Sequence, residues 1–168
     1  VAGQVRLSDR VAGQILGHPT DILGVVSIDE GLRTRVHRLL AEYLDGQPLP
    51  ADLVTEPVAI RAGTAVLYVR LVDCEPSVVR LFSPLLRGLD RSPELLVELN
   101  ELNARLNFLR LFWREGTVYA ASELLAETLE AAELTNACDA LADTADHYDV
   151  RLHARFGGEI AYDQRGPG

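Results

Sequence analysis

The apolar positions of the chain switch between two periods, and the switches lay out the elements. Leu32, Val36, Leu39, Leu40 and Tyr43 recur at helical intervals behind Ser27-Ile-Asp-Glu30, which has the spacing of a capping box. This predicts a first helix from about Ile28 to Leu44, stopped at Asp45-Gly46. GQPLPADLVTEP follows as a proline-bearing loop. PVAIRA and TAVLYVRLVD then flank Gly63 as a hairpin, Cys74-Glu-Pro76 breaks the run, and SVVRLFS begins a third strand. Joins this short predict an antiparallel meander.

The period returns to helical after Ser92-Pro-Glu94, an N-cap followed by a first-turn proline. Leu95, Leu96, Leu99 and Leu102 share one side of this second helix, and Glu94, Glu98 and Glu101 another. LNFLRLFWR and TVYAASE, joined by Glu115-Gly116, predict a fourth and fifth strand in a tight hairpin. A long last helix from about Leu129 to Phe156 carries the stripe Leu134, Cys138, Leu141, Ala145, Tyr148 and Leu152. It ends at Gly157-Gly158 and turns Asp139, Asp143 and Asp146 to solvent. The expected class is therefore α+β, a five-stranded antiparallel sheet with helices packed on one face, in the order α-β-β-β-α-β-β-α. Residues 27–158 form this domain, 1–26 an arm or a short helix from Ser8-Asp9, and 159–168 a flexible tail.

Three strands repeat one phrase: YVRLV at 68–72, VVRLF at 78–82 and FLRLFW at 108–113. Side chains alternate across a strand, so one face gathers Tyr68, Arg70, Arg80, Phe82, Phe108, Arg110 and Phe112. Pairing through the Glu115-Gly116 turn adds Tyr119 opposite Phe112 and Glu123 opposite Phe108. The other face is purely apolar, with Leu67, Val69, Leu71, Val79, Leu81, Leu109, Leu111 and Trp113. The helices must pack there, because an unpaired guanidinium in a core costs several kcal/mol. The arginine–aromatic face is then expected to be exposed. Two readings of it stand side by side: arginine stems and rings covering one another as an ordinary solvent surface, or a surface that meets protein.

Composition narrows the partner. A chain of 168 residues with 48% hydrophobic content makes one domain with a real core. No stretch approaches the roughly 20 apolar residues that span a bilayer, and none has the build of a secretory signal. Cys74 and Cys138 stand in no metal or redox spacing and read as reduced, packed thiols, so the expected compartment is the cytoplasm. The net charge is −9, and residues 115–150 hold nine acids and no arginine. A flank so negative disfavours nucleic acid and suits basic or amphipathic polypeptide.

Catalytic chemistry has little support. His147 and Asp143 have the i, i+4 spacing of a metal pair, but a solvated acidic helix face accounts for both. No H-E-x-x-H, G-x-S-x-G or phosphate-cradling glycine loop occurs, and Glu94, Glu98 and Glu101 lack a pocket partner. No catalytic residue, metal or cofactor is expected.

The element order from residue 27 to 158 resembles that of the class I type III secretion chaperones. The stretch from about Ser83 to Gly158, with LNELNARLNFLRLFW, EGTVYAASELLAE and the closing RFGG, is similar to the bacterial YbjN family related to those chaperones. The resemblance implies a small acidic cytosolic protein without catalytic activity, usually a homodimer, that binds polypeptide. It also implies client binding on apolar patches and dimerisation through the second helix and the neighbouring strand. Those elements correspond to Leu95 to Leu106 and Leu109 to Trp113, which makes Leu95, Leu96, Leu99 and Leu102 the candidate dimer residues. The expected function is a non-enzymatic, secretion-chaperone-like protein holding a polypeptide client. The alternative is a regulatory or scaffold module that contacts one folded partner.

Overall fold

The computed structural model describes residues 3–4 and 28–162. Helix α1 (Glu30–Tyr43) begins at Asp29, whose carboxylate accepts from the Leu32 amide at 3.3 Å. Ser27, the expected cap, lies outside the described residues, as do the arm or short helix expected before it and its Ser8-Asp9 start. The inner side of α1 buries Val36, Leu39 and Leu40.

Strand β1 (Gly3–Gln4) pairs with β2 (Val58–Ala62), which joins β3 (Ala65–Val72) through a turn where Gly63 sits at φ 62°. Only a residue without a Cβ adopts that conformation without strain. β3 pairs with β4 (Val78–Arg87), completing the expected meander. β4 runs past Ser83, where the sequence pattern ends, because Pro84 falls at an irregularity in the ladder between Pro84 and Leu86. A proline is tolerated there, since a bulge leaves its missing N–H without consequence.

Helix α2 (Pro93–Asn103) starts as its sequence dictates, with Ser92 Oγ accepting from the Leu95 amide at 3.1 Å. β5 (Arg110–Arg114) and β6 (Thr117–Leu125) form the second hairpin, and α3 (Ala131–Phe156) closes against the sheet. The strand order is β1-β2-β3-β4-β6-β5, antiparallel throughout. At the start of the expected tail, Glu159–Ile160 form β7, paired with Leu86 and Arg87 of β4, and residues 163–168 of that tail lie outside the described residues. The five long strands are those anticipated, with β1 and β7 added as short edges.

Among the described residues, all three helices cover one face. Leu67, Val69, Leu71, Val79, Leu81 and Leu111 join Leu40, Leu95, Leu99, Leu102, Leu134 and Leu141 in one aliphatic core. Trp113 packs against it half-buried and donates its indole N–H to the Leu89 carbonyl at 2.8 Å. Asp139, Asp143 and Asp146 lie on the exposed side of α3. Among the described residues, no helix is long and apolar enough to cross a membrane.

Candidate functional site

The register brings seven of the eight candidate residues onto the face opposite the helices. Tyr68 pairs with Phe82, Arg70 with Arg80, Arg80 with Glu123, and Phe112 with Tyr119. Tyr68 stacks on Phe82 with centroids 5.2 Å apart, and Phe112 on Tyr119 at 5.4 Å. Phe108 is the exception. It precedes β5 in a left-handed conformation, φ 60°, and stands 95% exposed, while its carbonyl accepts from Ser122 Oγ at 2.9 Å. The expected pairing of Glu123 with Phe108 therefore fails: Glu123 lies opposite Arg80, and β5 pairs Arg110 with Ala121.

Glu123 is the ionic centre of this face. Its Oε1 accepts from Arg80 Nε at 2.7 Å and from Arg110 Nη2 at 3.0 Å. Partial burial raises the Glu123 pKa, but the hydrogen bond from Arg80 and the charges of Arg110 and Arg80 outweigh it and hold the carboxyl below its ordinary value. The Arg110 guanidinium also lies 5.8 Å from the Phe112 ring centre.

The expectation that this face is exposed needs correction. Tyr68, Arg70, Phe82 and Tyr119 are buried, and only Arg80, Arg110 and Phe112 keep substantial access to solvent. Arg70 Nη2 donates to the Val54 carbonyl at 3.0 Å, while its Nε has no hydrogen-bond partner. Burial, then the adjacent Arg80 charge, lower its pKa. Tyr162, after β7, joins the cluster through a hydrogen bond between its hydroxyl and that of Tyr68, and Arg87 lies 5.2 Å over its ring. Its sequence signal was the alternation Ile160, Tyr162 directly after the double glycine.

The candidate dimer residues divide. Leu95, Leu99 and Leu102 are buried in the chain's own core and are not available to a partner. They are consumed by the sheet because α2 packs along β5 and turns this stripe inward. Leu96 is half-buried, and beside it Val97 is 58% exposed on the outer side of α2. The outward backbone groups of Leu111 in edge strand β5 are held by the Asn103 amide, which donates at 2.9 Å and accepts at 2.7 Å. A side chain thus stands where a neighbouring strand would pair.

Beside Phe108 lies a shallow groove of about 290 Å³, lined by Phe108, Leu109, Arg110, Ala121, Ser122 and Glu123. It offers a solvent-facing ring, a guanidinium and a carboxylate at a sheet margin, which suits an amphipathic chain better than a small polar substrate. No group of three or more metal-ligating side chains occurs among the described residues.

The model of one protein family, described as "T3SS (YopN, CesT) and YbjN peptide-binding chaperone 1", matches residues 30–164. The chain belongs to this family. The match starts with α1 and runs through β7, so the likeness noted over the second half of the sequence extends across the domain. Two solved structures share the fold seen here. A chain of the ExsC–ExsE complex is 20% identical, with a TM-score of 0.60 over 72% of this chain and 96% of its own. A chain of the HopA1–SchA chaperone–effector complex is 17% identical, with a TM-score of 0.58 over 74% of this chain and 99% of its own. No curated protein matches the sequence.

Proposed function

We propose that this member of the peptide-binding chaperone family is a non-enzymatic homodimer that holds an extended segment of a client polypeptide. Phe108 is the observation that carries the reading. A phenylalanine left almost wholly in water, on a backbone conformation costly for any residue but glycine, gains nothing for the fold and serves a partner. The groove beside it includes Arg110, whose guanidinium lies 5.8 Å from the Phe112 ring centre, so the client contacts fall on Phe108, Arg110, Phe112 and the accessible part of Arg80. The two structural relatives come from complexes named for two proteins, one of them a chaperone–effector pair, which supports a polypeptide partner. The outer side of α2, with Leu96 and Val97, is the surface left for dimerisation once Leu95, Leu99 and Leu102 are in the core.

Affinity capture from the native lysate, with mass spectrometry, supplies a client whose extended segment is then bound in purified form. Val97→Asp is expected to convert a particle of about twice the 18.4 kDa chain mass into a single chain by light scattering, with the melting temperature held. A wild-type protein that is already a single chain at micromolar concentration removes the dimer. A captured partner that binds only when folded replaces the client reading with a scaffold one.

A further inference from the structure

Charge is sorted between the two sides of the sheet. Arg61, Arg70, Arg80, Arg87, Arg110 and Arg114 all stand on the face turned away from the helices. Among the strand positions of that face, only Glu123 and Glu159 are acids. Asp139, Asp143 and Asp146, which help to make the chain negative, lie on the solvent side of α3, and α3 packs on the opposite face. A chain of net charge −9 thus presents one cationic face.

The excess of positive charge meets exposed apolar surface beside Phe108. Arg80 and Arg110 both donate to one oxygen, Oε1 of Glu123. Arg70, the cross-strand neighbour of Arg80, has no carboxylate partner among the described residues. Three guanidinium groups therefore share one carboxylate. Like charges opposite one another on paired strands repel, so a second carboxylate arriving here is favoured. Arg110 is placed to receive it, with its side chain 53% exposed. Apolar groups flank that position. Phe108 lines the groove with Arg110 and Glu123, and Leu125, 52% exposed, stands two residues beyond Glu123 in β6 on the same face.

We propose that the client segment taken at this groove is apolar and acidic, with an aspartate or glutamate set between aliphatic or aromatic residues, and that Glu123 holds the place of the client carboxylate in the free protein. This rests on the reading of the chain as a client-holding chaperone and adds the chemistry of the segment. The client carboxylate pairs with Arg110 while its apolar neighbours cover Phe108 and Leu125. The overall charge would suit a basic client, but a basic segment would meet only a carboxylate already engaged by two arginines. Nucleic acid fits no better, because a phosphate backbone is held by several cations in water, and of the six arginines only Arg110 is exposed.

Phage display of random peptides of about twelve residues, panned on the full chain, tests this before any client is known. The recovered peptides are expected to combine Asp or Glu with Leu, Ile or Phe and to be poor in Lys and Arg. Peptides with no excess of acids overturn the proposal and leave the client reading standing; recovery of none overturns both. The most frequent peptide, synthesised with a fluorescein label, then gives Kd by polarisation. Binding is expected to weaken by about thirtyfold or more in Arg110→Glu, and by about tenfold on raising NaCl from about 50 to about 500 mM. It should strengthen several-fold in Glu123→Gln, which releases both guanidinium groups. Arg38→Glu makes the same charge change on the outer side of α1 and is expected to leave binding unaltered. Binding that Arg110→Glu or salt leaves intact, that Arg38→Glu weakens equally, or that Glu123→Gln fails to strengthen overturns the proposal. The salt series needs no substitution, and melting temperatures check that each variant folds. A labelled oligothymidylate strand that binds more tightly than the peptide and displaces it would assign the cations to phosphate and overturn the proposal as well.

Discussion

The two sides of the sheet are both buried over their middle strands and are differently made. Toward the helices, Leu67, Val69, Leu71, Val79 and Leu81 meet leucines from α1, α2 and α3, aliphatic against aliphatic. On the reverse, Tyr68 stacks on Phe82 and Phe112 on Tyr119, with Arg70, Arg80 and Arg110 beside the rings and Glu123 as counter-ion to two of them. A permanent core gains nothing from guanidinium groups, whose desolvation costs several kcal/mol each unless repaid by good partners. A face that must recognise a particular chain uses them for register and specificity. Burial alone does not tell a core from a recognition surface; the polar groups placed within it do.

The largest effects test whether the two sides are equally integral to the fold. Leu81→Ala is expected to lose about 2 to 5 kcal/mol and its neighbour Phe82→Ala about 3 to 5, since both side chains are buried and each truncation leaves a cavity. Urea unfolding gives both values. A Phe82→Ala cost near 0.5 kcal/mol, the size usual for surface positions, would put the reverse side in solvent and break the comparison. Trp113→Ala should fall at the low end of about 3 to 5 kcal/mol, because the ring is only half-buried but also gives up its hydrogen bond to Leu89.

At the margin of the reverse side the balance should invert. Arg110→Ser and Phe112→Ser are expected to cost less than about 1 kcal/mol of fold stability while weakening client binding by about 2 kcal/mol, roughly thirtyfold in Kd. Titration of the captured client segment against each variant measures it. Normal binding by both would return Arg110 and Phe112 to the role of self-covering surface.

What could be read from the chain follows the range of each signal. Ser92-Pro93 starts α2, Gly63 and Gly116 turn the two hairpins, and Gly157 ends α3, all through local chemistry. The alternation of Tyr68, Arg70 and Val72 gave the correct side of the sheet for each residue, because a strand has only two sides. The state of that side was a different matter. Phe82 lies in a cluster that Tyr162 packs against from far along the sequence, and no local pattern carries that. Phe108 departs for a related reason: in the pattern it continues the alternation of β5, but its positive φ takes it off the strand before the ladder begins. For α2, the width of the leucine stripe was legible, and the depth to which the sheet consumes it was not.

The smallest expected effect separates the two sides by pH. The helix side holds Cys138, whose thiol is pushed up to about 12 by burial, and Tyr43, raised further, so neither changes charge in acid. The reverse side holds Glu123, with a carboxyl kept below its ordinary value in the folded protein. A depressed folded pKa means that the Glu123 contribution is fully present above the unfolded pKa, near 4.3, and is lost as pH falls through the folded one. Its side chain is 29% exposed, so the contribution is at most about 1 kcal/mol. Glu123→Gln should therefore be less stable than the wild type at pH 7 by up to that amount, and the gap should close as pH falls below the unfolded pKa and through the lowered folded one. Urea midpoints of both proteins at pH 7, 5 and 3 measure it. A gap that persists unchanged at pH 3 would mean that Glu123 acts through its shape and hydrogen bonds alone, and that the arginines of the reverse side draw no charge-dependent stability from it.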